Sequence, residues 1–142
     1  MSKSARRRAR EFVLQGLYQW QVGGQDLAGI ESQAASVAGF DKADNELYRA
    51  LLSQTMGDAA ALQESIKPHI DRPWNEISPI ERVILLLAAC EFSHFPETPY
   101  RVILNEAIEL AKNYGGTDGH KFVNGVLDKL AVILRPTEAG AR

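Results

Sequence analysis

Lys3, Arg6, Arg7, Arg8 and Arg10 stand within the first ten residues, and no acid stands among them. Four of these five are arginines, whose planar guanidinium pairs bidentately with phosphate and stacks on bases. The chemistry they suit is capture of a polyanion. RNA is favoured over DNA, because a short arm has no recognition helix for a major groove, whereas arginines beside aromatics suit a single strand. On a helical wheel Arg6 and Arg10 fall within about 40° of each other, and Arg7 lies within the same arc of about 100°. Val13 and Leu17 project within about 20° of Arg6, so the arginines run in line with the stripe that must bury. The first two turns are therefore expected to overhang the packed body beside a cleft. Cations at a helix N-terminus oppose the macrodipole at about 0.3 to 1 kcal/mol each, which calls for a compensating partner. Taken alone, the arm reads equally well as a solubilising tail. Tyr18 and Phe122 are the candidate stacking surfaces, and each could equally be a core-edge residue.

Residues for catalysis or metal binding do not assemble in the sequence. His69, His94 and His120 are scattered and make no ligand pair at helical spacing. Cys90 is the single cysteine and lies in the apolar run from Val83 to Cys90, which reads as core and excludes an internal disulfide. Ser78 reads as a helix cap and Gly115-Gly116 as a helix stop. No enzyme and no cofactor are expected.

The elements that must position the arm follow from composition and punctuation. The chain has 142 residues, 45% hydrophobic and 24% charged, enough for a single domain over 1–142 with its own core. The formal net charge of −2 hides an asymmetry. Five of the sixteen basic side chains and none of the eighteen acidic ones fall in residues 1–10, so the arm carries +5 and the rest −7. The longest apolar run is far below the roughly 20 residues that span a bilayer, and the N-terminus lacks the apolar segment of a secretory signal. An Arg-rich, acid-poor start has the character of an organellar transit peptide, but it runs without a break into Glu11-Phe12-Val13-Leu14. The arm is read as part of the mature, cytoplasmic protein.

Helical period recurs between prolines and glycines, and no stretch alternates as a strand does, so the class is all-α. Helices are expected over 4–22, 27–37 and 43–66. A fourth opens at Ser78-Pro79-Ile80-Glu81, a cap with proline at the first helical position and Glu three residues after it, and runs to about 94. The fifth opens at Thr98-Pro99, with Ile103, Ala107, Leu110 and Tyr114 as its buried stripe, and stops at Gly115-Gly116. Thr117 or Asp118 can cap the last helix, whose wide apolar face from Phe122 to Ile133 and Leu134 calls for burial among several neighbours. The tail over 135–142 is polar, opens with proline and is expected to fray.

Two long motifs then resemble a known family. Arg7-Arg8-Ala9-Arg10-Glu11 through Gln15-Gly16-Leu17-Tyr18 resembles the N-terminal signature of the NusB family. Pro99 to Lys112 and His120-Lys121-Phe122-Val123-Asn124-Gly125-Val126-Leu127-Asp128-Lys129 resemble its core, while 27–75 matches only in helix pattern. The resemblance implies a fold of two packed three-helix sub-bundles and a role in antitermination. Such proteins pair with the ribosomal protein NusE, and the pair binds the single-stranded boxA element of ribosomal RNA operon transcripts so that RNA polymerase resists termination. By motif, Lys3, Arg6, Arg7, Arg10, Asp118, Lys121 and Phe122 would form the RNA side, and Tyr18 and Glu81 the protein-partner side. Glu81 reads equally as the second half of a capping box with Ser78, and Asp118 as a simple cap. The resemblance also leaves a homodimer open, since some relatives of this fold self-associate. Two rival readings remain: a protein-interaction adaptor whose arm does nothing specific, and the accessory domain of an RNA cytosine methyltransferase, against which the chain's length speaks.

Overall fold

Side-chain capping sets several helix starts. In a computed structural model, which describes residues 3–140, α1 (Ala5–Gly23) starts after Ser4, whose hydroxyl accepts from the Arg7 N–H at 3.1 Å. It stops at Gly24, in the left-handed region at φ 70°. α2 (Leu27–Ala35) is capped by Asp26, which accepts from the Gly29 N–H at 2.9 Å. Met1 and Ser2 of the expected arm, and 141–142 of the expected tail, lie outside the described residues.

The helix expected over 43–66 is two helices. α3 (Asn45–Gly57) ends at a glycine, and α4 (Ala59–Ile66) follows Asp58, whose φ −112° and ψ 11° leave the helical region. Apolar periodicity persists across the break, which is why the sequence pattern reads as continuous. The break also divides the chain into two compact units, with the boundary between Gly57 and Asp58.

In the first unit α1 packs on α3 and α2. Val13, Leu14 and Leu17 of α1, Ile30 of α2, and Leu51 and Leu52 of α3 are all buried. Phe12, Phe40 and Tyr48 meet edge to face, with centroids 5.0 to 6.4 Å apart. Burial along α1 begins at Ala9, so less than two turns overhang.

The second unit is built around α5 (Pro79–His94). Val83 to Cys90 and Phe92 are each no more than 2% exposed, so this helix is buried on all sides. It packs against α4, α6 (Tyr100–Tyr114) and α7 (Gly119–Leu134). Its expected start is borne out: the Ser78 hydroxyl accepts from the Glu81 N–H at 3.3 Å. Ser78→Ala is expected to cost about 1 kcal/mol, measured by urea denaturation. The apolar stripes of α6 and α7 are narrower than their sequences suggest. Tyr114 is 38% and Ile133 60% exposed, because each lies past the arc its neighbours cover.

The tail corrects its expectation most plainly. Arg135 is buried and α8 (Pro136–Ala139) is folded, with Ala139 in the core. The Arg135 guanidinium donates to the main-chain oxygens of Glu91, Phe92, Phe95 and Thr98 at 2.8 to 3.2 Å. Among the described residues no strand occurs, and no helix is long and apolar enough to cross a membrane.

Candidate nucleic-acid interface

The basic arm of the first unit surrounds two helix starts. The Asp44 N–H donates to the Ala5 carbonyl at 3.0 Å, and the Asp44 carboxylate caps α3 by accepting from the Leu47 N–H at 3.0 Å. The N-termini of α1 and α3, both positive dipole ends, are thereby tied side by side. Lys3 and Arg6 are exposed there and Arg7 is half-buried. Acids offset the unfavourable dipole contact: the Lys3 ammonium donates to both Glu11 carboxylate oxygens at 2.9 and 2.8 Å, and Arg6 lies 4.0 Å from Asp44. The Arg6–Asp44 pair is exposed and long and contributes little, so a phosphate oxygen can replace that carboxylate, whereas Glu11 is buried and keeps Lys3 anchored to α1.

Arg10 is a correction. It is 3% exposed, because its line on the wheel is that of Val13 and Leu17 and the packed body covers it. Little of its side chain is open to RNA. Tyr18 is 38% exposed, and Val22, one turn on, is 54% exposed. Together they make an apolar patch on α1 of the kind a protein partner covers. Val22 was missed, although its spacing of four from Tyr18 was the available signal.

In the second unit Asp118, Lys121 and Phe122 come together at the start of α7. Asp118 occupies the N-cap position at φ 63° and ψ 5°, but its side chain makes no cap hydrogen bond. Its carboxylate turns outward and lies 3.4 Å from the Lys121 ammonium. The expected capping role is therefore absent. The left-handed backbone, which Asp tolerates better than most residues, presents the carboxylate at the surface.

Glu81 also departs from expectation. Its backbone N–H completes the Ser78 cap, but its carboxylate does not return to Ser78. Glu81 Oε2 accepts from the Gly116 N–H at 3.2 Å and the side chain is buried. A Cβ on Gly119 would lie 2.7 Å from that oxygen, and one on Gly115 3.0 Å from it. Glycine at these positions makes room for the carboxylate, which in turn fixes the loop carrying Asp118. Glu81 is thus a positioning residue for the turn, with little surface left for a partner.

Arg72 was missed altogether. Its guanidinium carbon sits 4.4 Å from the Phe122 ring centroid, a cation–π stack. Asp71 raises the Arg72 pKa through a side-chain hydrogen bond at 2.9 Å, and in return Arg72 holds the Asp71 carboxyl below the usual range. Nothing local in the sequence joins Arg72 to Phe122. Among the described residues no group of three or more His, Cys, Asp or Glu could hold a metal ion.

Comparison with known proteins adds an independent line. The model of the NusB family matches residues 7–132. The transcription antitermination protein NusB of Dechloromonas aromatica (strain RCB) is 61% identical over 140 residues, covering 99% of this chain and 86% of that protein. The one from Aromatoleum aromaticum is 59% identical, covering 99% and 97%. Among solved structures, T. maritima NusB superposes with a TM-score of 0.81 at 27% identity, covering 99% of this chain and all of that one. A chain from a complex of antitermination factors NusB and NusE with double-stranded RNA gives 0.74 at 21% identity, covering 87% and 93%.

Proposed function

We infer that this chain, which belongs to the NusB family, is a cytoplasmic transcription antitermination factor that works by binding RNA and a protein partner, without catalysis. The RNA is the single-stranded boxA element of ribosomal RNA operon transcripts. The partner is the ribosomal protein NusE, and the pair makes RNA polymerase resist termination.

The observation that carries this reading is the cluster of Lys3, Arg6 and Arg7 at the adjoining starts of α1 and α3. Helix N-termini and arginines both favour phosphate. A second RNA-facing group is supported by the turn that exposes Asp118 and Lys121 beside Phe122. A carboxylate such as Asp118 accepts from base amino groups, and an aromatic ring stacks on bases. Tyr18 and Val22 supply the apolar patch for NusE.

Fluorescence anisotropy of a short boxA-like RNA against a scrambled one, across a salt series and with or without NusE, tests the reading. Arg6→Ala/Arg7→Ala is the variant to run beside it, since Arg10 is buried and its loss would confound folding with binding. Preference for boxA, tightening by NusE, and a salt slope flattened by about 0.7 per lost phosphate contact are the expected results. Binding that ignores sequence, NusE and the arm would leave the chain as an adaptor of this fold.

A further inference from the structure

We propose that a groove formed by 63–75 in the second unit holds one further nucleotide of the RNA, its base against Trp74 and its phosphate between Lys67 and Arg72. The inference rests on the RNA-binding reading above and extends it to residues outside both family motifs.

Two short 3-10 turns, Lys67–His69 and Trp74–Glu76, bracket this segment. Pro68 and Pro73 restrict its backbone. Between the turns lies an open groove of about 540 Å3, with Ile70, Pro73 and Trp74 as its apolar lining and Gln63, Lys67, Arg72 and Asn75 as its polar one. That volume lies within the range of small-ligand sites, roughly 300 to 1,000 Å3. An aromatic ring, two cations and two amides are the groups a nucleotide asks for: a stacking face, phosphate donors, and donor–acceptor pairs for a base edge.

Arg72 connects this groove to Phe122. One face of its guanidinium covers the Phe122 ring at 4.4 Å, and a guanidinium plane is itself a surface on which bases stack. Lys67 is paired with Glu64 at 2.8 Å and Arg72 with Asp71 at 2.9 Å. All four side chains are well exposed, and such pairs exchange for phosphate at small cost. Because cations and acids nearly balance here, stacking supplies most of the binding and salt acts weakly. That separates the groove from the arm.

The test compares a minimal boxA-like RNA with the same RNA lengthened by two nucleotides at either end. In a Trp20→Phe background Trp74 is the one tryptophan, and its emission should be quenched by a lengthened RNA but not by the minimal one. Trp74→Ala should lose about ten-fold in affinity for the lengthened RNA, with the salt slope unchanged and the minimal RNA unaffected. Trp74→Phe should keep most of the gain, which guards against misfolding of the alanine variant. Lys67→Gln should flatten the slope by well under the roughly 0.7 of a full phosphate contact, since Glu64 already pairs with Lys67. Arm-dependent binding that gains nothing from added nucleotides, with silent Trp74 emission, overturns this inference alone. Absence of any RNA binding overturns it together with the reading it rests on. Loss of NusE capture in Trp74→Ala with RNA binding intact would assign the groove to protein and also overturn it.

Discussion

Arg135→Ala is expected to lower the stability of the chain by about 3 to 5 kcal/mol, read as a fall in the urea midpoint. The guanidinium sits at the C-terminal end of α5 and the turn after it, where carbonyls run short of helical partners. It donates to Phe92 O and Phe95 O at 2.8 Å each, Glu91 O at 3.2 Å and Thr98 O at 2.9 Å. A cation there also meets the negative end of the helix dipole. Truncation strips Phe92 O and Thr98 O of their donor, while Glu91 O and Phe95 O keep the N–H groups of Phe95 and Thr98; Arg135→Lys keeps the charge but loses the fork that reaches four carbonyls. Lysine should recover only part of the loss. A variant within about 1 kcal/mol of wild type, the scale of one ordinary hydrogen bond, would sink this account.

Glu138 gives the same clamp a pH dependence. Its carboxylate accepts from the Tyr100 N–H at 3.0 Å, opening α6, and from Arg135 Nη1 at 2.6 Å. The Tyr100 N–H first, then Arg135, hold its carboxyl below the usual glutamate range. With the folded value depressed, its contribution is fully present above the ordinary glutamate pKa and disappears as pH falls through the lower folded value. The stability difference between wild type and Glu138→Gln should close over that acid interval. A difference constant through it would remove Glu138 from the clamp.

Gly16→Val is expected to cost about 2 to 3 kcal/mol by overpacking the first unit. A Cβ at Gly16 would stand 2.8 Å from Ile30 Cγ2 and 3.2 Å from Leu52 Cδ1, so α1 meets α2 and α3 closely at a residue without a side chain. Ile30 and Leu52 are buried and have little room to turn. Gly16→Ala gains about 1 kcal/mol of helix propensity against a smaller clash, and should fall between valine and wild type. Urea denaturation followed by far-UV circular dichroism orders the three. Valine as stable as glycine would mean that the helices part at no cost.

The candidate site was legible where side chains act on their own neighbourhood. Lys3, Arg6 and Arg7 declared themselves by type and by the lack of nearby acids, and Lys121 and Phe122 by the family motif. Arg10 was read onto the wrong side of the surface. Its wheel position is shared by arginines and core alike, and only packing shows at which turn burial begins. Arg72 went unnoticed because its partner Phe122 is distant in the chain. The Gly57–Asp58 break was hidden for a related reason: the apolar period runs straight through it.

Local chemistry along the chain was enough to set the all-helical class and several helix ends. Ser4, Asp26, Ser78 and Gly24 act within about one turn of themselves, and a cap or stop needs no distant partner. Tertiary structure alone decided what became of the polar residues inside the fold. Glu81 meets Gly116 at a separation of 35 residues, and Arg135 meets its carbonyls at 37 to 44. A charged group in a folding chain can be solvated or bonded in many ways, and the choice rests on which carbonyls and amides packing leaves unpaired beside it. That is a property of the assembled helices, and no window of neighbouring residues contains it.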